Sequence, residues 1–134
     1  MIVTERDRKI LEHIISYCED IQAAVKRFGN DYKSFCNDKE YRNACAMCIL
    51  QIGELCGKLS DEFKIEYSQM PWKEIKGMRN VVVHKYGSIS IEATWETIEK
   101  DIPDLNKYCT TILKKNGFIE SDEKVNQVDV EGKE

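Results

Sequence analysis

The chain has 134 residues, 20 of them Lys or Arg and 24 Asp or Glu, and 33% of it is charged. That length makes one domain, which buries roughly two thirds of its unfolded surface, and with only two prolines and seven glycines it disfavours a many-stranded sandwich. No apolar run approaches the roughly 20 residues of a membrane span, and the charged start Met1-Ile2-Val3-Thr4-Glu5-Arg6-Asp7 is no signal peptide, so the expected setting is the cytoplasm.

The first predicted helix covers 4–28. Thr4 is its N-cap and Asp7, three residues on, its capping-box partner. Ile10, Leu11, Ile14, Ile15, Cys18, Ile21, Val25 and Phe28 fall in steps of three and four, which marks one buried stripe. His13 lies off that stripe and reads as a surface residue. Gly29-Asn30 ends the helix, and 29–37 reads as a polar loop.

Asp38 caps a second long helix over 38–58, striped by Tyr41, Cys45, Cys48, Ile49, Ile52, Leu55, Cys56 and Leu59. The six cysteines raise the question of zinc or disulfides. Cys45-Ala-Met-Cys48 is a lone Cys-x2-Cys with no second pair and no paired histidines, so it supports no metal site. Cys45, Cys48 and Cys56 belong to the apolar stripe, where a free thiol acts as a small hydrophobe. Gly53 and Gly57 cost about 1 kcal/mol each in a helix interior, and close approach of another backbone is a reason to keep them. The two long helices should pack as an antiparallel hairpin.

Ser60 caps a short turn through Phe63 and Ile65, and Pro71 suits the first position of a third helix buried through Trp72, Ile75, Met78, Val82 and Val83. Val81-Val82-Val83 with Ser88–Ile91 also fits a hairpin, but the 72-75-78-82 spacing favours the helix. Ser90 caps a fourth helix carrying Ile91, Trp95 and Ile98. Pro103 kinks or restarts it, and Leu105, Tyr108, Cys109, Ile112 and Leu113 run to Gly117. The expectation is an all-α, up-down bundle of four to five helices over 1–117. A tail over 118–134 follows, polar and acidic, which reads as disordered and dispensable. Its six acids and two lysines hold the whole net charge of −4, so residues 1–117 are neutral.

On that neutral body, residues 71–87 hold Lys73, Lys76, Arg79 and Lys85 against Glu74 alone. A local basic patch fits a polyanion site, and a solvated helix face fits the charge equally well. Arg79 clamps phosphate oxygens well, and His84 titrates near neutral pH. The two are five residues apart, about 140° around a helix axis. They converge only if the helix ends near His84 or if a second subunit completes the site.

Several motifs occur in order: Gln51-Ile-Gly53-Glu54, Leu59-Ser60, Pro71-Trp72, Gly77-Met78-Arg79-Asn80, His84-Lys85-Tyr86, then Ile91, Trp95 and Asp101-Ile102-Pro103-Asp104-Leu105. Together they closely resemble the HepT-like branch of the HEPN superfamily, whose motif is Arg-x4-His-x-Tyr, over residues 4–115. The resemblance implies a helical bundle that forms a homodimer, and a toxin that cleaves RNA without a metal or other cofactor. It also implies a cognate antitoxin, a minimal nucleotidyltransferase that adenylylates the motif tyrosine, here Tyr86. Neither DNA nor a membrane is an expected partner.

The chemistry of these positions stands independently. RNA brings its own nucleophile, the 2′-OH. His84 can move the proton and Arg79 can stabilise charge on the phosphate. Asn80 and Glu54 are candidate supports for that pair, and Lys85 adds attraction to RNA. A reading from another class is a noncatalytic HEPN module that binds a nucleotide or a partner nucleotidyltransferase, with Arg79 and His84 as ligands only.

Overall fold

The computed structural model describes the backbone of residues 3–83 and 90–119, and the side chains of all of these except 78–83. Its order is α1 (Glu5–Phe28), α2 (Tyr32–Asn37), α3 (Lys39–Lys58), α4 (Asp61–Glu66), α5 (Trp72–Val83), α6 (Ile91–Glu96), a π turn (Thr97–Asp101) and α7 (Ile102–Lys115). Among the described residues there is no strand, so the all-helical expectation holds and the hairpin alternative at Val81–Val83 does not.

The predicted caps are present. Thr4 Oγ1 accepts from Asp7 N at 3.1 Å, Asp38 Oδ1 from Glu40 N and Tyr41 N, Ser60 Oγ from Phe63 N and Ser90 Oγ from Ala93 N. Each satisfies an amide that the first helical turn leaves without a partner. Pro71 precedes α5 rather than opening it, and its carbonyl accepts from Ile75 N. Only half of the capping box forms. The Asp7 side chain does not return to Thr4 but is fully buried against Ser60.

α1 and α3 form the expected antiparallel pair. The start of α1 meets the end of α3 at Asp7–Ser60, and the end of α1 meets the start of α3, where Phe28 stacks on Tyr41 at 5.2 Å. α7 returns along α1, with Asn106 donating to Gln22 and Arg8 lying over the Phe118 ring. The predicted stripes are mostly core. Leu11, Ile14, Cys18, Ile21, Tyr41, Cys45, Ile49, Ile52 and Cys56 are fully buried, while Cys48 and Leu55 are half-buried. Each buried aliphatic side chain contributes about 1.5–3 kcal/mol.

Aromatic clusters close the two ends of this aliphatic and thiol belt. Phe28, Phe35, Tyr41 and Trp95 meet at one end, and Phe63, Tyr67, Trp72 and Tyr108 at the other.

Two further expectations are corrected. The polar loop over 29–37 contains α2, capped by Asp31, whose side chain accepts from Ser34 N at 2.8 Å. Arg42 satisfies the last α2 carbonyls, and Phe35 anchors the turn in the core. Ile65 is 75% exposed and is not the core partner of Phe63.

Pro103 restarts the last helix by way of the π turn. It has no N–H, and its ring clashes with an α-register carbonyl four residues back. One wider turn absorbs the misfit. Gly117, at φ 77°, ends α7. Phe118 N donates to the Leu113 carbonyl and Gly117 N to that of Lys114, the Schellman pattern.

Candidate functional site

The candidate site is organised on α5, and its position follows from how α5 is held. At the α5 N-terminus, Trp72 is buried. Its indole N–H donates to the Tyr67 carbonyl at 2.9 Å, and its ring packs on Phe63 and Tyr108. Ile75 is buried one turn on, while Lys73, Glu74 and Lys76 are exposed.

From this anchor α5 runs back along α3, the helix it packs on most. A Cβ at Gly57 would sit 3.2 Å from Cδ and Cε of Lys76, whose stem crosses the bare backbone. Gly53, one turn earlier on α3, is buried as well. The atoms nearest Gly57 are those of the Lys76 side chain, so Gly57 makes room for a lysine stem and not for the close backbone approach expected of these glycines.

Positions 79 and 80 of α5 lie about one turn beyond Lys76, farther along α5 from Trp72. Glu54 is half-buried on α3. The backbone of Arg79 and Asn80 belongs to the helical run that ends at Val83. His84, Lys85 and Tyr86 lie outside the described residues, and so does any convergence of Arg79 with His84. His13 is exposed on α1, as expected of a surface residue.

Lys64 was not singled out by the sequence. Its ammonium donates to the Gly57 carbonyl at 3.4 Å, because α4 folds back over the end of α3. Two lysines from different helices therefore meet at one glycine, and neither is in an ion pair among the described residues. No sequence period could have paired positions 64 and 76.

Burial keeps five of the six thiols protonated. Burial pushes the thiols of Cys18, Cys45 and Cys56 up to about 12 and that of Cys48 to about 11. Burial also holds the Cys109 thiol well above its ordinary value. A thiol that stays protonated is a poor nucleophile and a poor metal ligand. Among the described residues no group of three or more His, Cys, Asp or Glu side chains is placed to hold a metal ion.

The sequence model of the HepT-like ribonucleases matches residues 14–112, which span all of α3, α5 and the segment between α5 and α6. The chain belongs to the HepT-like ribonuclease family. Among its relatives, a "Putative RNase" of Caldanaerobacter subterraneus subsp. tengcongensis is 39% identical over 108 residues, which are 81% of this chain and 95% of that one. A "Putative RNase" of Methanocaldococcus jannaschii is 34% identical over 111 residues, 82% of this chain and 94% of the relative. A "Probable ribonuclease HepT" of Thermococcus cleftensis is 30% identical over 94 residues, 66% of this chain and 86% of the relative. No solved structure matches the chain. For a HepT-like chain, the anchoring of Trp72 and the seat at Gly57 explain how α5 is held at a fixed level against α3. No described helix is long and apolar enough to cross a membrane.

Proposed function

We propose that this chain is a metal-independent endoribonuclease, the toxin of a toxin–antitoxin pair, and that a partner nucleotidyltransferase silences it by adenylylating Tyr86. The observation that carries the reading is the family match across 14–112 together with the intact Arg79-x4-His84-x-Tyr86 within it.

In the proposed reaction the 2′-OH of RNA attacks the adjacent phosphorus while His84 takes its proton. The bond to the 5′-oxygen of the next nucleotide breaks, leaving a 2′,3′-cyclic phosphate and, after proton return, a 5′-hydroxyl. Arg79 stabilises the charge that builds on the non-bridging oxygens. Glu54 and Asn80 orient the pair. Lys85 draws the RNA backbone in.

A homodimer brings two Arg79–His84 sets into one cleft and relieves the poor alignment of a five-residue spacing on a single helix. The working unit is residues 1–117, with 118–134 dispensable for cleavage.

The deciding experiment expresses wild type and His84→Ala in a bacterial host and reads growth together with RNA integrity. Growth arrest with RNA loss in the wild type alone supports the nuclease. Arrest by both without RNA loss overturns it in favour of a noncatalytic binding module.

A further inference from the structure

Lys64 and Lys76 raise a question that α3–α5 packing does not answer. Two lysine side chains from different helices approach one backbone position, and an anion held there would be attracted by both. Lys64 approaches the Gly57 carbonyl from α4, and Lys76 crosses the Gly57 backbone from α5. Lys76 is exposed and Lys64 half-buried, so both remain open to solvent on one side. Among the described residues neither has a carboxylate partner. Lys73 lies one turn before Lys76 on the same side of α5 and is also exposed.

Position 79 follows position 76 by three residues, about 5 Å along the axis and on the same side of the helix. The lysine pair therefore sits beside the position from which the proposed arginine acts. It is carried by backbone held through Trp72 and the Gly57 contact.

We infer that Lys64 and Lys76 form a phosphate ledge that holds the RNA backbone next to the scissile phosphate, with Lys73 extending it away from the site. The ledge rests on the ribonuclease reading and names how that site grips its substrate. Its contacts are to phosphate, so it confers no base preference and positions single strands by charge. The competing structural role is plain: Lys64 caps the negative end of α3 and Lys76 covers Gly57.

The two roles separate by the salt dependence of binding. Each phosphate neutralised on a single strand contributes about 0.7 to the slope of log affinity against log salt. The experiment titrates fluorescein-labelled oligouridine into full-length His84→Ala protein over a range of salt. The measurement is repeated with Lys64→Gln and Lys76→Gln added singly and together, and with Lys9→Gln and Lys107→Gln as exposed controls on α1 and α7. Melting temperature is recorded for each. The ledge requires the slope to fall by about 0.7 per lysine, with the controls unchanged. An unchanged slope, with or without a lower melting temperature, overturns it and leaves the lysines as structural. If the parent protein also fails to bind and the wild type fails to cleave, the ribonuclease reading falls and the ledge with it. Cleavage with an unchanged slope removes the ledge alone.

Discussion

The fully buried carboxyl group of Asp7, in the first turn of α1, accepts two hydrogen bonds from Ser60: one from its amide at 3.0 Å and one from its hydroxyl at 2.6 Å. The same hydroxyl accepts from Phe63 N and caps α4. One aspartate thus ties the start of α1 to the segment that turns the chain from α3 toward α5. It fixes where α4, and with it Lys64, is laid down.

Asp7→Ala removes both acceptors and leaves the Ser60 amide without its partner. The expected cost is about 2–4 kcal/mol by urea denaturation. Asp7→Asn keeps an oxygen of the same shape and should cost clearly less. Equal stability of Asp7→Ala and wild type would show that the pair contributes nothing.

Tyr41 closes the opposite end of the bundle. Its hydroxyl donates to the Gly29 carbonyl at 2.9 Å, and its ring packs edge-on to Phe35 at 4.9 Å and to Trp95. Tyr41→Phe should cost about 1 kcal/mol. Tyr41→Ala should cost about 3–5 kcal/mol and red-shift Trp95 emission as water reaches the cluster. An unshifted emission would count against this packing.

The buried thiols set an alkaline limit. Cys18, Cys45 and Cys56 are raised from 9.0 to about 12 in the fold. Below pH 9 both states keep these protons, and the thiols contribute full stability. Between about 9 and 12 the unfolded chain loses protons that the folded chain retains, so stability falls as pH rises. The slope is at most about 1.4 kcal/mol per pH unit for each thiol. Melting temperature should drop steeply above pH 9, and Cys56→Ala should flatten the drop. A curve that Cys56→Ala leaves unchanged would contradict the assignment.

Cleavage should survive a chelator. His84→Ala should abolish it. Arg79→Ala should lower kcat/KM by an amount equal to about 3–4 kcal/mol of transition-state stabilisation, the range for a lost oxyanion donor. Products ending in 2′,3′-cyclic phosphate are expected. Activity lost to the chelator and restored by magnesium would refute the metal-free route.

Tyr86 is the proposed control point. An adenylylated tyrosine adds a phosphodiester charge and a nucleoside two residues from His84, and it competes with RNA by charge and volume together. Tyr86→Phe should stay toxic beside the partner nucleotidyltransferase and should gain no AMP mass. Full neutralisation of Tyr86→Phe would show that the antidote works by binding or at another residue.

Much of this architecture was legible in the residues alone. The helices of 4–28 and 38–58, their caps and their apolar stripes depend on hydrogen bonds and side-chain neighbours three or four positions apart, and such signals lie within one turn of sequence. The order of motifs from Gln51 to Leu105 likewise sufficed to point to the HepT-like family. Only the tertiary structure decided that Asp7 abandons its capping box for a residue 53 positions away. It also decided that Phe35 makes helix of an apparent loop, that Ile65 faces solvent, and that Lys64 and Lys76 meet over Gly57. Contacts of this kind depend on the register between helices. That register is set by how whole faces interdigitate, and no local spacing of residues encodes it.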